Sequence, residues 1–149
     1  MMIASLMTDE KMILNNIPML SDVKTLISIL ESLGTNAVHI KNGLNLHTKE
    51  IINHKASYDL VKKMRASFWV LAPLLAKSGY AEVSLPGGCA IGTRPVDLHL
   101  FALKRLGAKI KIKDGYILAK AEKGLIGTKI KFPSVSVGAT ENALLAAFG

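Results

Sequence analysis

Two stretches of this 149-residue chain repeat one another in order and spacing, and no other feature constrains the fold as much. Ile27, Leu30, Leu33 and Gly34 recur as Leu100, Leu103, Leu106 and Gly107 at one constant shift. Apolar residues at helical spacing, closed by glycine, predict an amphipathic helix with a glycine C-terminus. After each glycine comes an alternating strand, Ala37 to Ile40 or Ala108 to Ile112. Each strand meets a turn dipeptide, Asn42-Gly43 or Asp114-Gly115, and a return strand follows. Short strands stand ahead of both helices, Lys11 to Leu14 and Ala81 to Leu85. Each unit therefore reads strand, helix, strand, hairpin, over about residues 8–57 and 78–128. Such repetition implies supersecondary units that bury their apolar faces against one another. Ordinary α/β alternation is the plainer alternative.

A third unit is expected to begin at residue 129, with Lys129 to Phe132 as its strand and Thr140 to Phe148 as its helix. Between the first two units, Tyr58 to Ala76 predicts a long helix in which Pro73 either kinks the chain or marks a boundary. Ser21 is the expected N-cap of the first repeated helix, with Asp22 in its first turn. Met1 to Met7 reads as a helix tail, and the chain closes within another helix, so residues 1–149 predict an incomplete α/β domain.

Composition narrows the class. Half the residues are hydrophobic and 20% are charged, enough apolar matter for a packed core and against disorder. A single cysteine excludes an internal disulfide and a CxxC zinc site, and nothing points to secretion. No run approaches transmembrane length and the apolar start makes a poor signal peptide, so a cytoplasmic protein with no membrane partner is expected. A net charge of +8 admits nucleic acid. The lysines are spread, however, with only small clusters at Lys62-Lys63 and Lys109 to Lys113, and no recognised module accompanies them. A solvated basic surface is the expectation, and a positive cleft would also suit a substrate with several phosphates.

Three stretches draw chemical interest. Leu85-Pro86-Gly87-Gly88-Cys89-Ala90-Ile91-Gly92-Thr93-Arg94-Pro95-Val96-Asp97-Leu98-His99 leaves a strand, crosses a glycine-rich loop around the only cysteine, and enters a helix near Arg94. A fixed cation and a helix N-terminus would both lower the thiol's pKa, which points to a reactive thiolate. A plain buried thiol is the other reading. Arg65 opens an apolar helical stretch and suits an anion, or is simply solvated. Ser134-Val135-Ser136-Val137-Gly138-Ala139-Thr140 joins a strand to a helix, where backbone N–H groups can hold phosphate. Asp97 and His99, two apart, do not share a helix face and make no catalytic pair.

The cysteine stretch, together with Tyr58-Asp59-Leu60-Val61-Lys62-Lys63-Met64-Arg65-Ala66-Ser67 and Val135-Ser136-Val137-Gly138-Ala139-Thr140, closely resembles the UDP-N-acetylglucosamine 1-carboxyvinyltransferase family of enolpyruvyl transferases. The likeness runs along the whole chain. It implies an inside-out α/β barrel of repeated strand–helix units around inner helices. It also implies transfer of enolpyruvyl from phosphoenolpyruvate to the 3′-hydroxyl of UDP-N-acetylglucosamine, the step that opens peptidoglycan synthesis, with no metal or redox cofactor. Cys89 matches the family's proton donor and the thiol alkylated by fosfomycin. Arg94 matches an arginine touching phosphate and substrate, and Pro95, Val96, Asp97 and Leu98 match the segment lining the uridine site. Arg65 matches another substrate-site residue. Ser134, Val135, Ser136 and Val137 match a nucleotide-contacting segment in which the family more often has lysine at the position of Ser134. Family members are longer, two-domain chains. A Lys-Asn pair and the whole second domain are absent here, so the fragment is expected to turn over poorly by itself. The alternative is a non-catalytic fragment that binds UDP-sugar or pairs with a complementary one. The related enolpyruvyl transferase of aromatic amino-acid synthesis shares the fold but lacks the cysteine motif.

Overall fold

A computed structural model describes residues 1–62, 64–86 and 96–148. The first sheet is built from β1 (Met12–Asn15), β2 (Asn36–Ile40) and β3 (Gly43–His47), ordered β1-β3-β2 and antiparallel throughout. Helix α1 (Ser21–Leu33) crosses between β1 and β2. The second sheet is ordered β4-β5-β7-β6, from β4 (Lys55–Ala56), β5 (Tyr80–Ser84), β6 (Lys109–Lys113) and β7 (Tyr116–Lys120). Helix α4 (Asp97–Arg105) crosses between β5 and β6. In both sheets the return strand of the hairpin is inserted beside the strand that precedes the helix. Short α2 (Tyr58–Val61) and α3 (Leu71–Ser78) lie between β4 and β5 in sequence, and α5 (Val137–Ala147) follows both sheets.

Burial follows the period of each element. Leu44 and Leu46 of β3, Ala81 and Val83 of β5, and Ile117 and Ala119 of β7 point to one face and are fully buried. Against those faces pack Ile29, Leu30 and Leu33 of α1, Leu71, Leu74 and Leu75 of α3, and Leu103 of α4. The outer strands stay wet. β6 is an edge strand whose Lys109, Lys111 and Lys113 are all exposed, which discourages pairing with another chain.

The two helices that open the hairpins end identically. Gly34 donates to the Glu31 carbonyl and Thr35 to that of Leu30, just as Gly107 donates to Lys104 and Ala108 to Leu103. This double closure needs a left-handed residue, and Gly34 and Gly107 sit at φ 115° and 93°. The hairpins then differ. Asp114 and Gly115 both have positive φ, 52° and 77°, the signature of the twisted two-residue turn expected there. In the first hairpin Ile40 pairs with Gly43, so the turn residues are Lys41 and Asn42, and neither has positive φ. Gly43 is instead a strand residue. A Cβ there would overlap the Leu14 carbonyl oxygen of β1, so the glycine permits close strand pairing and plays no part in the turn expected of Asn42-Gly43.

Four further expectations change. Leu20, not Ser21, caps α1, and its carbonyl accepts from Lys24 at 3.2 Å. Met2–Met7 is a 3₁₀ helix. Tyr58 to Ala76 is not one helix: Met64 is extended (φ −147°, ψ 132°), and a 3₁₀ segment, Arg65–Val70, precedes α3. Of the two roles expected of Pro73 the boundary is the one observed: it lies in the first turn of α3, just past the end of the 3₁₀ segment, where a missing N–H costs nothing. Lys129 to Phe132 forms no strand. Arg105 donates to the Lys129 carbonyl at 3.4 Å and Phe132 packs on Phe101 at 6.2 Å, so this stretch straps onto α4 instead of joining a sheet.

The outer face of the second sheet carries a charged cluster. Lys55 and Glu82 are register partners of β4 and β5, joined at 2.6 Å, and the Tyr80 hydroxyl donates to Glu82 at 3.3 Å. Its hydrogen bond to Glu82 raises the Lys55 pKa, while burial first and the Glu82 charge second raise that of Tyr80 above its usual 10.0. The folded chain holds these protons more tightly than the unfolded chain. Their contribution is therefore complete below about pH 10 and is lost as pH rises through the folded-state values. Thermal melts between about pH 9 and 11 should show a falling Tm, with a shallower fall in Glu82→Gln. Equal slopes in both proteins would remove the cluster from the alkaline response.

Candidate active site

The strand–helix connection of the first unit, between β1 and α1, takes five residues, 16–20, whereas that of the second, between β5 and α4, takes twelve, 85–96. A longer connection on an otherwise matching scaffold is where function is expected. The Leu85 amide donates to the Gly115 carbonyl at 2.9 Å and pins the outgoing end. Cys89, Arg94 and Pro95 belong to this connection and lie outside the described residues. At its far end Val96 is buried and accepts from the Leu100 amide at 3.0 Å, so the helix starts at Asp97, three residues beyond Arg94. Asp97 is exposed in the first turn, where its charge complements the free amides. Leu98 is half-buried and His99 is buried. The two sides of α4 on which Asp97 and His99 lie agree with the reading that they form no catalytic pair.

The third motif forms the start of α5, which begins at Val137 and not at Thr140. Ser136 is its N-cap: its Oγ accepts from the Ala139 amide at 3.3 Å, and its carbonyl accepts from the Thr140 amide and hydroxyl at 3.1 and 2.8 Å. The Ser136 Oγ therefore caps the helix as an acceptor and keeps its own proton to donate. Ser134 is exposed, and Val135 and Val137 stand 99% and 71% exposed, apolar groups with nothing packed on them.

These motifs, far apart in sequence, meet around four residues that sequence reasoning did not assign to the site. The Phe68 and His99 rings pack perpendicular, centroids 5.4 Å apart at 90°, tying the Arg65–Val70 segment to the first turn of α4. Gly138 brings α5 against the same place, where a Cβ would lie 3.4 Å from His99 Cε1 and from Trp69 Nε1. The backbone of Arg65 opens that segment, and Val96 to Leu98 and Ser134 to Val137 flank the knot made by Phe68, Trp69, His99 and Gly138. Among the described residues, no group of three His, Cys, Asp or Glu side chains could hold a metal, and no helix is long and apolar enough to cross a membrane.

The family model for EPSP synthase (3-phosphoshikimate 1-carboxyvinyltransferase) matches residues 1–149. The chain belongs to this enolpyruvyl transferase family. Within it, UDP-N-acetylglucosamine 1-carboxyvinyltransferase of Cereibacter sphaeroides is 54% identical over 99% of the chain, and that of Xanthobacter autotrophicus is 55% identical over 99%. The chain spans 36% and 37% of their lengths. The fold agrees with solved members. The enolpyruvyl transferase NikO from Streptomyces tendae superposes with a TM-score of 0.81 at 19% identity, over 97% of this chain and 34% of its own. EPSP synthase from Acinetobacter baumannii superposes with a TM-score of 0.69 at 15% identity, over 97% and 35%. The enolpyruvyl transferase architecture expected from the resemblance is therefore the observed one.

Proposed function

We propose that this chain carries the thiol loop and part of the sugar-nucleotide site of an enzyme that transfers enolpyruvyl from phosphoenolpyruvate to the 3′-hydroxyl of UDP-N-acetylglucosamine. The observation that carries the reading is 54% identity, along nearly the whole chain, to relatives named for that reaction. In the proposed reaction the 3′-oxygen adds to C2 of phosphoenolpyruvate while the Cys89 thiol gives a proton to its methylene. The 3′-hydroxyl proton leaves to a base in that step, and the tetrahedral adduct then loses a proton from its new methyl group and expels phosphate, restoring the double bond. Arg94 holds the phosphate and Arg65 lies at the substrate site. Pro95 to Leu98 line the uridine, and Ser134 to Val137 meet the nucleotide. The exposed Val135 and Val137 and the free amides at the start of α5 support contact through apolar side chains and backbone, without the lysine that Ser134 replaces. The cytoplasmic setting, the place in peptidoglycan synthesis and fosfomycin sensitivity belong to the same proposal.

The chain is also proposed to be a partial domain of two repeats, 8–57 and 78–128, with a third begun at 129. The matching strand orders and the paired Schellman closures of α1 and α4 support this. The span of 36% favours a second reading beside the first, in which the chain by itself binds UDP-sugar without turnover.

Intact-mass analysis after fosfomycin treatment, with and without UDP-N-acetylglucosamine, tests the reading. Epoxide opening forms a carbon–sulfur bond at Cys89 and leaves a new hydroxyl. Iodoacetamide should label Cys89 in the chain alone, while fosfomycin should not. Co-expression with the remaining length of a relative should restore a fosfomycin adduct that forms faster with the sugar nucleotide. A Cys89 inert to both reagents in every mixture would overturn the assignment.

A further inference from the structure

Strand β6 is an open edge of the second sheet, and its sequence, Lys109-Ile110-Lys111-Ile112-Lys113, alternates strictly. Alternation at the period of a strand sends the three lysines to the outer face, where all are exposed, about 7 Å apart. Ile110 and Ile112 turn to the other face with their register partners Ala119 and Ile117, yet Ile112, with no strand beyond it, is 59% exposed. Lysines on an edge keep strands from pairing at random. Two observations ask more of these. At the constant shift of the repeat, the same three positions of β2 are Asn36, Val38 and Ile40, exposed on an edge that has no lysine ladder. The scaffold therefore does not demand a charged edge. Lys109 also stands directly opposite Lys120 of β7, a like-charge pair that costs stability. Glu122 offsets one of those charges, 3.2 Å from Lys109, while Lys111 and Lys113 form no ion pair among the described residues.

We propose that the β6 edge docks an extended acidic strand of another protein, one in which carboxylates alternate with apolar residues. Paired antiparallel with β6, such a strand sets a carboxylate opposite each of Lys109, Lys111 and Lys113 and an apolar side chain beside Ile112. The backbone groups on the open side of β6 supply the hydrogen bonds, and the alternation of side chains supplies the selectivity. A second copy is the poorer occupant, because β6 against β6 brings lysine opposite lysine. Nucleic acid would also meet the lysines, but it would leave Ile112 and the open backbone edge uncovered. The inference uses no residue assigned to the reaction and does not depend on that assignment.

The probe is a short fluorescein-labelled peptide alternating glutamate with valine, titrated by fluorescence anisotropy beside a control with the same residues in two blocks. The alternating peptide should bind about tenfold more tightly than the control or better, and amide exchange along β6 should slow in its presence. Lys111→Glu should weaken binding about tenfold, and a peptide with lysine at its central acidic position should recover most of that loss in this variant alone. Lys111 is exposed, so circular dichroism of the variant should match the parent. A full-length hybrid, with this chain in place of the matching part of the Cereibacter sphaeroides relative, should bind the alternating peptide equally well. Equal affinity for the two peptides would reduce the edge to a basic surface and overturn the proposal, as would a Lys111→Glu protein that binds like the parent. An oligouridylate that displaces the peptide and binds more tightly would give the surface to nucleic acid instead. Loss of binding in the hybrid would show that the enzyme covers β6 itself, and would overturn the proposal equally.

Discussion

Supplied with phosphoenolpyruvate and UDP-N-acetylglucosamine, the chain alone should turn over about 10⁵-fold or more slowly than a full-length relative. The reasoning is positional. Two substrates must be held with the 3′-oxygen against C2 and the thiol against the methylene, and such pre-positioning is worth about 7–11 kcal/mol in favourable cases. The chain spans 36% of the relatives it matches, and the side chains assigned to the nucleotide are still open to solvent, with Val135 99% exposed. Water left in the site would also weaken every interaction with the charged substrates. Phosphate release, measured on chain shown to be folded by circular dichroism, checks the expectation. A rate within about 100-fold of the relative's would mean that a third of the length suffices, and that pre-positioning by the rest contributes little to the rate.

What could be read beforehand was whatever local chemistry decides. Leucine spacing with Gly34 and Gly107 located both helices and their ends, because a left-handed closure has few alternatives to glycine. Asp114-Gly115 likewise specified its turn. Gly43 was misread because two demands call for the same residue. A turn and a close strand approach both exclude a Cβ, and only the position of β1, set by tertiary pairing, separates them. Lys129 to Phe132 failed for a related reason. Alternation allows a strand, but a strand needs a neighbour, and the contacts with Phe101 and Arg105 hold the segment on α4. The break at Met64 was hidden because Val61, Met64, Phe68 and Leu71 keep helical spacing across it.

The site was legible as motifs and not as geometry. Serine before a helix suits both anion binding and capping, and the capping half is what the Ser136 Oγ does in this fold. The length contrast between the connections 16–20 and 85–96 carried more information than any single residue, since it sets a functional excursion against an economical one on a like scaffold. His99, set aside as half of a failed pair with Asp97, turned out to be where α4, α5 and the Arg65–Val70 segment meet.

That meeting point predicts the largest stability effect. Phe68 is 1% exposed, belongs to the segment that Arg65 opens, and packs its ring perpendicular to that of His99. Phe68→Ala removes a ring from a site walled by α3, α4 and α5 and should cost about 3–5 kcal/mol, lowering Tm by about 6–20 °C. The loss should reach beyond stability, because the ring also spaces the Arg65 segment from the start of α4. In a complex with the remaining length of a relative, Phe68→Leu should regain most of the melting temperature, since it refills volume, yet it lacks the perpendicular ring contact that holds His99. Sugar-nucleotide affinity measured by titration should therefore stay lower in Phe68→Leu than in the parent at a temperature where both are fully folded. If Phe68→Leu restores affinity and stability together, the ring serves packing alone, and the alignment of the three motifs is held by Gly138 and Trp69 without it.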